Sequence, residues 1–159
     1  MVAIGLLLAW AARTSDQTRV WHSDLSLWTQ AVAVSPLKPR PWINLGRALE
    51  ADQRPAEASQ AYHAAVRLSL DRTRPAREQA EARAVALTNL GRLAVRAGDR
   101  ARGLGYLDAA TDAVPEFAPA LFQRALAWAL MGQCSRMAGD LADVRRITGM
   151  SVVVPCEPS

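Results

Sequence analysis

Apolar residues return every three or four positions along Trp42 to Leu49, Ala58 to Leu68, Leu87 to Val95 and Leu121 to Met131. That spacing is one face of an α-helix, and no stretch alternates strictly in the manner of a half-buried strand. The pattern predicts an all-α protein. Breaks fall at Asp52-Gln53-Arg54-Pro55, Ala97-Gly98-Asp99, Val114-Pro115 and Met131-Gly132-Gln133, each rich in residues that end helices or open turns. Half of the 159 residues are hydrophobic, enough apolar material for one compact domain or a short stack of helices.

The apolar stretches are also copies of one another. Trp42-x-x-Leu45-Gly46 continues with Ala58, Tyr62 and Ala65, and Leu87-x-x-Leu90-Gly91 continues with Gly98, Gly103, Leu107, Ala110 and Pro115. A third copy begins at Ala118, 34 residues after the second, with Leu121, Ala125, Trp128, Gly132, Leu141 and Val144 in matching roles. This order resembles the tetratricopeptide-repeat (TPR) family, and the resemblance implies a TPR-type α-solenoid of antiparallel helix pairs. Gly46 and Gly91 are expected where two helices cross too closely for a β-carbon. Ala58, Ala65, Gly103 and Ala110 are expected to let the second helix of each pair nest against the first.

The third copy departs from the pattern. Arg124 stands in the slot of Leu45 and Leu90, and Met137 in the slot of a small residue, which predicts either a terminal cap with a wetter face or a shift in register. A half copy precedes the first: Trp28, Ala31 and Pro36 fit a second helix, with Ser23 or Asp24 as its N-cap. The chain thus divides into an apolar segment 1–20, a repeat domain 21–147 and a tail 148–159. The repeat domain holds a half repeat 23–38, repeats 39–72, 84–117 and 118–151, and an insertion 73–83. Within the insertion, Pro75 followed by Ala76, Glu78, Ala80, Glu81 and Ala82 favours helix after a proline suited to a first turn. The insertion is expected to lengthen the next helix.

The formal charge is +4, and Lys38 is the sole lysine among nineteen basic residues. An alanine- and arginine-rich chain reflects composition bias as much as function. With no aromatic RNA-binding motif and no basic run of five, nucleic acid is not an expected partner. His22 and His63 are isolated, so no metal is expected. No G-x-S-x-G, P-loop or dinucleotide-binding glycine pattern is present; neither cofactor nor catalysis is expected. Glu50, Asp52, Glu57, Glu78, Glu81, Asp108, Asp112 and Asp140 are assigned to polar helix faces. Cys134 and Cys156 lie 22 positions apart with no C-x-x-C, leaving two alternatives. In an oxidising compartment they join and fold the Val152-Val153-Val154-Pro155 tail over the last helix pair; otherwise they are two free thiols.

Val2 to Ala12 is apolar, about 16 Å long as a helix at ~1.5 Å per residue against a ~30 Å hydrocarbon core. It reads as a buried first helix, a signal-like stretch, or the end of a membrane helix with Trp10 and Trp21 near the headgroups. A second resemblance bears on this. Arg19-x-Trp21-x-Ser23, Leu27-Trp28, Ala31-Val32, Ser35-Pro36 and Arg40-x-Trp42-x-Asn44-Leu45-Gly46 are similar to the junction between membrane helices and repeats in polytopic proteins with carboxy-terminal TPR arrays. Among those are glycosyltransferases similar to the transmembrane O-mannosyltransferases. The resemblance implies membrane association, with the repeats on the non-cytoplasmic, periplasmic side, whereas Arg13 and Arg19 after the apolar stretch argue for the cytoplasmic side. The catalytic residues of that family lie between membrane helices that this chain does not contain.

In TPR arrays the first helix of each pair lines a concave groove. By register, that groove takes Arg40, Ile43, Arg47, Glu50 and Ala51 from the first copy. The second supplies Val85, Thr88, Asn89, Arg92, Val95 and Arg96, and the third Phe122, Leu126, Ala129 and Leu130. One end is basic and the other apolar, suited to a protein or peptide carrying acidic and hydrophobic residues. The clamp that binds chaperone tails is not supported, because only Asn89 among Ile43, Arg47, Asn89, Pro119 and Gln123 matches it. The expected function is a non-catalytic protein-interaction scaffold; the alternative is the accessory domain of a membrane glycosyltransferase. Self-association through the half copy is a third reading.

Overall fold

The computed structural model describes residues 23–71, 73 and 75–157. The apolar segment, and with it the readings placed on residues 1–22, lies outside the described residues. Among the described residues there are seven helices and no strand: α1 Asp24–Val34, α2 Pro39–Ala51, α3 Pro55–Leu68, α4 Ala76–Arg96, α5 Arg100–Ala113, α6 Ala118–Ala129 and α7 Cys134–Thr148. Each packs antiparallel on its neighbours in order, so α2/α3, α4/α5 and α6/α7 form three hairpins preceded by α1 alone.

Local chemistry sets the starts. Ser23 caps α1, its hydroxyl accepting from the Ser26 N–H at 3.1 Å, and Asp99 caps α5, accepting from the Arg102 N–H at 3.1 Å. Proline opens α2, α3 and α6, where its missing N–H costs nothing. Pro75 is the N-cap of α4, one place before the first turn in which the sequence put it. The insertion continues α4 to 21 residues, against 13 in α2 and 12 in α6.

The three first helices end identically. Gln53, Gly98 and Gly132 have φ of 60°, 89° and 67°. In each case the following N–H reaches back five residues: Arg54 to the Leu49 carbonyl at 2.9 Å, Asp99 to Ala94 at 3.0 Å, and Gln133 to Trp128 at 3.0 Å. A left-handed residue closes each helix so that its last carbonyls are satisfied and the chain reverses. Two copies use glycine; the first holds Gln53 there against the preference of a side-chain-bearing residue.

The core is a seam of small residues between large ones. Ala58, Ala65, Ala84, Ala86, Ala110, Ala120 and Ala125 are fully buried, as are Tyr62 and Leu107. A β-carbon on Gly46 would lie 2.5 Å from the Tyr62 ring, and one on Gly91 would lie 2.6 Å from Leu107 Cγ. Trp42 closes the front by donating its indole N–H to the Pro36 carbonyl at 2.8 Å, bracing the α1–α2 turn.

The third copy keeps its register and is not shifted. Ala125 and Val144 are buried in the slots of Gly46 and Ala65, and Arg124 fills its apolar slot as an ion pair. Its guanidinium donates through Nε and Nη2 to both oxygens of Asp140 on α7, at 2.9 and 2.7 Å, and through Nη1 to Asp108 on α5 at 2.9 Å and Thr111 at 3.0 Å. These bonds to Asp140 first, and then to Asp108, push the guanidinium above its ordinary range. Asp140 and Asp108, assigned from sequence to a solvated role, instead tie three helices together. Met137, in the other deviant slot, is half-buried beside the tail.

Candidate binding surface

The first helices lie side by side, α2 touching α4 and α4 touching α6, and together form one layer. Glu50, in the last turn of α2, is the hub of its first half. The buried Tyr62 ring leaves its hydroxyl free to donate to Glu50 Oε1 at 2.6 Å. Arg92 of α4 donates Nη2–H to the same oxygen at 2.6 Å and to Asn89 Oδ1 at 3.3 Å, while Arg96 stands 3.9 Å from Oε2. Burial first, and then the bond to Glu50, push the Tyr62 phenol well above its ordinary range, so it remains a donor. Glu50, with a side chain 12% exposed, is therefore an interior acceptor and not a solubilising carboxylate.

The remaining sequence-chosen residues divide by exposure. Arg40 and Arg47 are exposed and have no carboxylate within ion-pair distance among the described residues; Asn89, Phe122 and Leu126 are half-buried. Ile43 and Thr88 are buried. Ile43 belongs to the hydrophobic core, and the Thr88 hydroxyl donates to the Ala84 carbonyl of its own helix at 2.7 Å. Both face the packing between helices and not solvent. Arg47 also borders a cleft of about 420 Å³ that the sequence did not anticipate, lined by Asp24, Leu27 and Trp28 of α1 and by Asn44 of α2.

The three hairpins correspond position by position in register. Gly46, Gly91 and Ala125 sit at the crossing, Tyr62, Leu107 and Leu141 in the facing slot, and Gln53, Gly98 and Gly132 at the left-handed turn. The fold is an α-solenoid of antiparallel helix pairs. No protein-family model matches the chain, and no curated protein matches it. Among solved structures it is similar to the crystal structure of YrrB, described as a TPR protein with an unusual peptide-binding site. The identity is 18%, over 77% of this chain and 75% of that one, with a TM-score of 0.40. At that score the likeness adds nothing to the fold, which the helix pairs establish, or to function.

Elsewhere the helix pairs enclose a cleft of about 330 Å³ between α3, α4 and α5, bordered by Ser59, His63, Leu93, Arg102 and Tyr106. His63 Nε2 lies 3.4 Å from the Tyr106 hydroxyl, with the rings edge to face. Burial, and then Arg67, hold the imidazole below its ordinary pKa. Among the described residues no group of three His, Cys, Asp or Glu could hold a metal ion, and no helix is long and apolar enough to cross a membrane.

Cys134 and Cys156 are joined in a disulfide with Cα atoms 5.7 Å apart. The tail begins at Gly149, the left-handed cap of α7 with φ 73°, one residue later than the sequence placed it. It returns along that helix to reach Cys134.

Proposed function

We propose that the chain is a non-catalytic interaction module whose layer of first helices binds a protein segment presenting carboxylates next to apolar side chains. The observation that carries this is the unequal pairing of the arginines in that layer. Arg92 is held by Glu50, whereas Arg40 and Arg47 point forked donors outward, free for a partner's carboxylates. Phe122 and Leu126 on α6, with Leu130 at 56% exposure, supply apolar contact at the other end.

Panning a random-peptide library on the purified chain tests this. Selected sequences are expected to combine Asp or Glu with aliphatic or aromatic residues, and Arg40→Glu/Arg47→Glu is expected to weaken them at least tenfold by adding repulsion to the lost attraction. Peptides without acidic residues, or affinity indifferent to both reversals, would defeat the proposal. Arg92 is a poor choice of variant, since its loss removes the closest cation from the part-buried Glu50.

The disulfide supports an oxidising compartment, the side implied by the resemblance to membrane-tethered arrays. It therefore also favours the second reading, an accessory domain of a membrane glycosyltransferase. Trapping thiols in intact cells before lysis tests the compartment: quantitative alkylation of Cys134 and Cys156 would place the domain in a reducing one.

A further inference from the structure

The outer face of α7 is less covered than those of the other second helices. The second helices of the two inner pairs each bury five residues, Ala58, Ala61, Tyr62, Ala64 and Ala65 in α3, and Gly103, Leu104, Leu107, Ala110 and Thr111 in α5. In α7 only Asp140 and Val144 are buried, because no further pair follows it among the described residues. The tail takes part of that place. Residues 151–154 run beside Met137, Ala138, Leu141 and Ala142, leaving a cleft of about 690 Å³ between strap and helix.

The strap is weakly held apart from its ends. Among the described residues its backbone from Ser151 to Glu157 makes no hydrogen bond to α7. Val153 is 93% exposed and Val152 41%. One end is fixed by the Gly149 cap, whose N–H donates to the Arg145 carbonyl at 2.8 Å, and the other by the bond from Cys156 to Cys134 at the start of α7.

We propose that this disulfide is a redox-sensitive latch, whose reduction releases the strap and uncovers the α7 face while the helices stay folded. The reductant is a dithiol. Its thiolate attacks one sulfur of the pair, the S–S bond breaks, and the other cysteine leaves as a thiolate that takes up a proton. The second thiol of the reductant then displaces the remaining cysteine. Two electrons have passed to the protein, which ends with two thiols, and the reductant ends as a disulfide.

The test is backbone ¹⁵N relaxation on the full chain before and after dithiothreitol, with Cys134→Ser/Cys156→Ser as a form that cannot latch. In the oxidised protein the amides of Val152, Val153 and Val154 are expected to have order parameters near ~0.85, falling below ~0.6 on reduction and in the variant. Leu141 and Val144 are expected to keep their helical values. Two results overturn the latch. A strap that stays ordered after reduction is held by its contacts and not by sulfur; loss of order in α7 together with the strap makes the bond a structural brace.

Discussion

Replacing Arg124 by methionine keeps the length of the side-chain stem and removes the guanidinium on which three helices converge. The Asp108 contact counts for little, because that carboxylate is 53% exposed and returns to water. The Thr111 hydroxyl keeps its own bond to the Asp108 carbonyl at 2.8 Å. Asp140 decides the outcome: its side chain is 8% exposed and Arg124 supplies both of its hydrogen bonds. Stranding one partner of a buried pair costs about 3–5 kcal/mol, and with Arg124 itself 21% exposed water can reach part of the gap, which favours about 3 kcal/mol. For a chain of this size that is a fall of roughly 6–12 °C in Tm. Urea unfolding followed by circular dichroism at pH 7 measures it. The decisive control is Arg124→Met/Asp140→Leu, which removes both charges and is expected to recover stability to within about 1 kcal/mol of the native chain. A single substitution costing under about 1 kcal/mol, or a double one no better than the single, would refute the assignment of Arg124 and Asp140 as a mutually dependent interior pair.

Two backbone positions give predictions of opposite sign. Gly46→Ala drives a methyl into the buried Tyr62 ring, 2.5 Å from the nearest ring atom, and is expected to destabilise by about 1–3 kcal/mol, read as a drop in urea midpoint. Gln53→Gly relieves the left-handed strain at φ 60° and is expected to stabilise by about 1 kcal/mol, read as a rise in Tm; unchanged stability would mean that the Gln53 side chain compensates the strain.

The sequence displays what the fold repeats and conceals what it does once. Glycine and alanine at matched intervals are legible because close helix crossings tolerate almost nothing else, and the same crossings place Gly46 under Tyr62 and Gly91 under Leu107. The turn signals are legible for a similar reason, since a left-handed residue must follow each first helix. Arg124 appeared only as a departure from pattern. Its partners lie sixteen residues to either side, and nothing in the one-dimensional order marks Asp108 and Asp140 apart from carboxylates facing solvent. Glu50 is a similar case: its acceptor role depends on Arg92, 42 residues away. Register gives the direction of a side chain but not its exposure, and Ile43 and Thr88, placed by register along the groove, are buried.

The extra turns of α4 have a practical consequence. With 21 residues against 13 and 12 in its counterparts, this rod is longer than they are by about 12–14 Å at ~1.5 Å per residue. Its leading residues from Ala76 to Glu78 are exposed. A fluorophore or an affinity tag grafted at these exposed positions would leave the buried core untouched, so the protein carries its own insertion handle.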